Sequence, residues 1–176
     1  MTTKPILAIS GVLLLASVSA LGARTEAVRI ERTAPSAPGE AARPVVFVCL
    51  NGVAMSVWSA AYFNRLAEAR GLPERAIARA SIPSYTAVPF SMRFGLALDG
   101  FRVADFHPHV MDEEDARSAA LVVAIDTELP EQARSTHSAV ERWNGFPPMR
   151  ERYFPSRAAL KQRVERLVDR LAAKAD

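Results

Sequence analysis

Cysteine is almost missing from this chain of 176 residues, in which Cys49 stands alone. A single cysteine excludes an internal disulfide and any cysteine-rich zinc site. Histidine is scarce too, at three residues. The densest group of possible ligands, Asp105, His107, His109 and Asp112, offers a His-x-His pair and two carboxylates, but Pro108 between the histidines does not dictate a metal geometry, so neither a metal nor a cofactor is expected. Aromatic residues make up only 7% of the chain and do not interleave with a basic block. The charge balance of 22 Lys and Arg against 19 Asp and Glu leaves a net charge of only +3. Nucleic acid is therefore not implied as a partner. Internal repeats are absent as well.

The N-terminus carries its own signal. Lys4 precedes an uncharged stretch from Pro5 to Ala23, and its apolar centre, Ile6 to Ala16, is followed by the small-residue pattern Val18-Ser19-Ala20. That is the order of a secretory signal peptide, and the stretch is also just long enough to span a bilayer uncut. Residues 1–23 are thus expected to be either a cleaved signal or an N-terminal anchor. Export to the periplasm or the exterior follows from the first, and attachment to the inner membrane from the second. Residues 24–43 contain Pro35, Pro38 and Gly39 among small and charged residues and read as a linker. The remaining 44–176, about 130 residues, is enough chain for one domain with a real core.

From Pro44 onward, strand-like and helix-like segments alternate, the pattern of a parallel sheet with helices on both faces. Strands are predicted at Val45–Cys49, Ala76–Ser81, Leu121–Ile125 and, more weakly, Val140–Trp143. A helix is predicted from an Ser56 N-cap to about Arg70, with Trp58, Ala61, Tyr62, Leu66 and Ala69 at helical spacing and Gly71 as its stop. Others are predicted at Pro89–Asp99 and Asp112–Ala119. The last is predicted to start at an Ser156 cap and to carry Leu160, Val164, Leu167, Val168 and Leu171 on one face.

Cys49 ends the apolar run Val45-Val46-Phe47-Val48 and falls into Leu50-Asn51-Gly52-Val53-Ala54-Met55-Ser56. A strand, a tight turn and a helix start in that order aim several backbone N–H groups and a helix dipole at one small volume. Such a volume suits an anion and favours a thiolate. Cys49 is a candidate nucleophile by this reading. Burial as an ordinary core thiol at a strand end is the alternative. Trp58 and Trp143 are expected in the core, with the mouth of the site as their other possible place. His137 is expected at the surface rather than as a partner of Cys49.

The same residues carry a resemblance. Val46 to Ser56, followed by Ala60-Ala61-Tyr62-Phe63-Asn64-Arg65-Leu66, resembles the low-molecular-weight protein tyrosine phosphatases and the related thioredoxin-coupled arsenate reductases. Their signature is Cys, five residues, Arg, then Ser or Thr. Arg79-Ala80-Ser81, Leu98-Asp99-Gly100-Phe101 and Leu121 to Asp126 extend the likeness, from roughly Pro44 to the C-terminus. The resemblance implies a three-layer sandwich around a four-stranded parallel sheet. It also implies Cys49 as nucleophile, Ser56 as stabiliser of the thiolate, and Leu50, Asn51, Gly52, Val53, Ala54 and Met55 as the anion-binding loop.

Departures from the pattern matter as much. Met55 stands where the arginine belongs, Asn51-Gly52 reverses the usual Gly-Asn, and Ala54 takes a position where many relatives carry a second cysteine. Pro147 occupies the place of the acid in the Asp-Pro pair if Pro148 matches its proline. A lone cysteine also lacks the relay of the arsenate reductases. The expectation is an exported, degenerate phosphatase-like protein that binds phosphate, another small oxyanion or a protein partner at the Cys49–Ser56 loop. One alternative is an active enzyme whose missing charge comes from Arg93 or Arg150. The other is a thiol redox protein using Cys49. The membrane is expected as a partner only through an uncleaved N-terminal segment.

Overall fold

The computed structural model describes residues 42–83, 85–134 and 138–175. The expected leader, nearly all of the linker, and His137 lie outside the described residues. Four strands, β1 (Val45–Cys49), β2 (Ala76–Ala80), β3 (Leu121–Ile125) and β4 (Ala139–Trp143), form one sheet in the order β2-β1-β3-β4. All three pairings are parallel, so every connection is a crossover. Five helices provide the crossovers and the C-terminus: α1 (Met55–Ala69), α2 (Phe90–Leu98), α3 (Glu113–Ser118), α4 (Glu131–Arg134) and α5 (Tyr153–Ala175). The three-layer α/β sandwich with a four-stranded parallel sheet is the architecture expected.

The pleat sorts β1 into two cores. Val45, Phe47 and Cys49 join a large cluster with α1, α2 and α5, whereas Val46 and Val48 join a smaller one with Ala116 of α3 and Ala133 of α4. Central strands covered on both faces read as unbroken apolar runs, and β1 and β3 do. β4 is an edge, which explains its weak signal: Glu141 and Arg142 interrupt its apolar pattern, and only Trp143 is buried. On the other edge, Arg79 of β2 grips Asp115 of α3 through two hydrogen bonds of 2.6 and 2.7 Å. Asp112 and Asp115 close a capping box at the start of α3.

Several local expectations change. Ser156 is not the cap of α5, which begins three residues earlier at Tyr153; its hydroxyl is buried without a partner among the described residues. Pro155 is tolerated there because amides of a helix's first turn have no intrahelical acceptor. The buried face of α1 runs through Val57, Trp58, Ala60, Ala61, Phe63 and Ala67, while Tyr62 and Leu66 are half-buried and Ala69 is exposed. The helix is packed on two sides, by the sheet and by its helical neighbours, so a single stripe underestimates what it buries. The short α4 escaped the sequence reading altogether. Trp58 and Trp143 are both in the core.

Asp99, just beyond α2, ties three helices together. Its carboxylate accepts from Trp58 Nε1 at 2.6 Å and Tyr153 Oη at 2.8 Å, and pairs with the Arg157 guanidinium at 2.7 Å. Gly95 makes room for this: a Cβ there would stand 2.5 Å from the Tyr153 ring. Burial, and then the bond to the Asp99 carboxylate, push the Tyr153 hydroxyl far above the usual tyrosine range. A group whose pKa is raised by folding contributes stability below its unfolded pKa and loses it as pH climbs past that value. Tyr153→Phe is expected to cost about 1.5–3 kcal/mol at neutral pH, for one lost hydrogen bond to a charged group. Above pH ~10 the wild type should lose stability more steeply than the variant, by up to about 1.4 kcal/mol per pH unit. Urea denaturation of both proteins between pH 8 and 11 measures the two slopes.

Candidate anion-binding site

β1 is where the sheet changes direction: the chain leaves it for β2 on one side and later returns to β3 on the other. The carboxyl edge at such a switch point is the crevice where α/β sheets bind ligands. Cys49 ends β1 at that edge, paired in register with Ala80 of β2 and Ile125 of β3. The backbone then climbs through residues 50–54 into α1.

The turn is fixed from the β2 side. Ser81 N–H donates to the carbonyls of Cys49 at 2.9 Å and Leu50 at 3.1 Å, and Ile82 N–H donates to Leu50 at 3.0 Å. Gly52 has φ +64°, and a Cβ on it would lie 2.8 Å from the Ala80 Cβ and 2.9 Å from the Ala80 nitrogen. Only glycine satisfies both the left-handed backbone and that contact. The Asn51-Gly52 order therefore places glycine where the loop presses on β2.

Ser56 does not cap α1. The N-cap is Ala54, whose side chain offers no hydrogen bond, and Ser56 sits inside the first turn with its hydroxyl 3.1 Å from Cys49 Sγ. Both side chains are buried. The structure thus brings together the thiol and hydroxyl that the sequence singles out seven residues apart. The first helical amide bond is Trp58 N–H to Ala54 C=O at 2.9 Å, and the amides from Gly52 to Val57 have no hydrogen-bond acceptor among the described residues. These donors lie in the turn before, and the first turn of, a 15-residue helix. Unpaired amides at the positive end of a helix dipole are what an anion nest requires.

The loop's side chains are mostly apolar. Val53 is buried, Ala54 and Met55 pack against the large core cluster, Leu50 is exposed, and Asn51 is half-buried and engaged. Met55 supplies neither charge nor hydrogen-bond donors. Arg93 lies over the ring of its helical neighbour Phe90, 5.8 Å from the centroid, and neither Arg93 nor Arg150 hydrogen-bonds to a loop residue among the described residues. Beside Asn51 opens a cavity of about 310 Å³, walled by Ala80, Ile82, Pro83, Tyr85 and Pro108. His107 is held outside the loop by Thr86, whose carbonyl is 2.9 Å from its Nδ1, and Asp112 is the cap of α3.

The sequence reading overlooked Asp126 as a site element. It follows β3 at the same carboxyl edge, holds φ +45°, and accepts from Gly145 N–H at 2.7 Å and Phe146 N–H at 2.9 Å. Both oxygens are thereby used to hold the turn that leads to Pro147 and Pro148. Asp is one of the few non-glycine residues that tolerate such a φ, and its position directly after a buried strand was the available signal.

No protein-family model matches the sequence, and no curated protein matches it. Solved structures do. YfkJ from Bacillus subtilis superposes with a TM-score of 0.64 at 18% identity, over 76% of this chain and 96% of that one. The low-molecular-weight protein tyrosine phosphatase from T. tengcongensis gives 0.57 at 22% identity, over 73% and 99%. Arsenate reductase from Archaeoglobus fulgidus gives 0.55 at 24% identity, over 71% and 98%. An α/β sandwich with a cysteine loop at its switch point is the class defined by fold and site. Within it, the chain has the fold of the low-molecular-weight protein tyrosine phosphatases and arsenate reductases.

Gly52→Ala tests the loop. Forcing a Cβ into φ +64° and against Ala80 should destabilise the protein by about 2–4 kcal/mol, combining a left-handed penalty with overpacking. Chemical denaturation of the variant beside the wild type gives the number.

Proposed function

We propose that this protein binds phosphate or a similar small oxyanion at the Cys49–Ser56 loop and has given up the phosphatase chemistry of its fold. The observation that carries the reading is the combination at one edge of the sheet: unpaired loop amides around a Cys49–Ser56 pair, with Met55 packed on the core where the resemblance calls for arginine. Backbone donors suffice to hold an anion. Turnover needs more.

A phosphoryl group in transfer spreads charge over three equatorial oxygens, and catalysis rests on positioned charge around them. Loss of one such donor costs about 10²–10³ in rate. Loss of a general acid costs about 10²–10⁴. Pro147 cannot donate a proton, and the carboxylate at this edge, Asp126, already accepts two amides. Efficient hydrolysis of unactivated phosphomonoesters is thus not supported. The alternative of an active phosphatase or arsenate-reductase-like enzyme would need a guanidinium from elsewhere, and burial of Cys49 at 4% exposure weighs against a thiol that forms mixed disulfides. The leader-like Pro5–Ala23 supports a location outside the cytoplasm for this pseudophosphatase, either released or held at the inner membrane.

The test is titration of the full chain with inorganic phosphate, beside hydrolysis of an activated aryl phosphate, for wild type, Cys49→Ser and Met55→Arg. Wild type is expected to bind phosphate and to show no turnover that depends on Cys49. Met55→Arg should tighten phosphate binding roughly ten- to hundredfold, the worth of a charge-assisted hydrogen-bonded pair. Cys49-dependent turnover by the wild type would overturn the loss of catalysis, and absence of phosphate binding would overturn the anion site.

A further inference from the structure

α2 is apolar on both of its faces, and only one of them is covered. Met92, Gly95 and Leu96 face the core and the Tyr153 ring. Phe90, Phe94 and Leu98 fall at i, i+4 and i+8, one line along the helix, and are 75%, 61% and 58% exposed. Phe154, at the start of α5, is also 61% exposed, and its ring stands edge-on to Tyr153, which abuts Gly95 of α2. Two phenylalanines and a leucine in one exposed line, with a third exposed phenylalanine at the start of the helix packed on α2, are more than the scattered apolar residues of an ordinary surface.

Cations neighbour the patch. Arg93 lies over Phe90 at 5.8 Å, and the exposed Arg150 and Arg152 come just before Phe154 in the chain. Against them stands one exposed carboxylate in these two segments, Glu151, so three positive charges and one negative leave +2. None of the three arginines is ion-paired among the described residues. The negative charge of Asp99, next along the chain, is already met by Arg157. Phe and Leu on one face with free Arg at its border is the pattern of a surface that lies in the headgroup region of a bilayer.

We propose that the Phe90–Phe94–Leu98–Phe154 face is a membrane contact that docks the domain on an anionic lipid surface. The chain outside the structure supports lipid as the occupant. It contains the apolar stretch Pro5–Ala23, and only residues 24–43 separate that stretch from the domain. Twenty residues reach at most about 70 Å even when fully extended, so a domain joined through them to a stretch held in lipid stays close to the bilayer. A second copy of the chain is the poorer fit. A twofold contact through this face would set the free arginines of one copy against those of the other, with like charges opposed. The inference stands apart from the anion site, since it uses no residue of the Cys49 loop.

The experiment uses the full chain in a Cys49→Ser background, with a nitroxide label placed by Phe94→Cys or, as reference on the opposite layer, by Glu131→Cys. Each protein is reconstituted into equimolar phosphatidylglycerol and phosphatidylcholine vesicles and into phosphatidylcholine alone. The label at 94 is expected to lose contact with an aqueous relaxing agent and gain contact with oxygen in the anionic vesicles. The label at 131 should remain in water throughout, and adding Arg93→Glu and Arg152→Glu should return the label at 94 to water. A label at 94 that stays as wet as the reference in both vesicles would overturn the proposal. Spin–spin broadening at 94 would overturn it in favour of a second copy, and shielding at 94 in lipid-free detergent-dilute buffer would assign the face to the chain's own N-terminal segment.

Discussion

At the carboxyl end of β1 the backbone has to turn out of the sheet within the width of a single strand, because β2 closes one side and β3 the other. Gly52 makes this possible by lying against Ala80 with φ +64°, a position closed to any side chain. Once the turn is seated, Ser81 and Ile82 amides satisfy the carbonyls of Cys49 and Leu50. The next amides, from Gly52 to Val57, are left without an acceptor among the described residues. The course of the loop from Cys49 into α1 depends on that contact.

A second constraint holds α1 from behind. Trp58, two residues beyond Ser56, donates to Asp99, and Asp99 also receives Tyr153 and Arg157 from α5. One buried carboxylate therefore joins the first turn of α1, the end of α2 and the start of α5. Because one oxygen accepts two hydrogen bonds and the other is paired with a guanidinium, its desolvation is compensated. Ser56 and the loop are thus carried on a helix whose position is set by packing and polar contacts together, and a binding loop gains its shape from that rigid support.

Between loop and ligand the chemistry is asymmetric. Backbone N–H groups and a helix terminus attract an anion whatever the side chains are, so on the proposed reading the main-chain part of the site does not depend on an arginine at the position of Met55. A guanidinium adds a fixed fork of donors matched to a transferring phosphoryl group, and a half-buried methionine packed against the core gives none of that. The apolar cavity beside Asn51 adds room next to the nest without adding charge.

Much of the architecture was legible in the residues. β1 and β3 are unbroken apolar runs of five, α5 carries a clean stripe, and Cys49 with Ser56 stands at the junction of strand and helix, where their pairing is local. Cap assignments at Ser56 and Ser156 failed because serine favours several short-range roles, and burial against distant partners decided between them. Those features, the periodicities and the strand-turn-helix order, were determined by the sequence alone, since each depends on neighbours within one turn or one strand. Only the tertiary structure decided that Gly52 meets Ala80, that Asp126 holds the Gly145 turn, that Asp99 gathers three helices, and that Phe90, Phe94 and Leu98 face outward. Each of these depends on which segments the parallel crossovers bring side by side, and no local pattern encodes a contact between residues 28 or 54 positions apart.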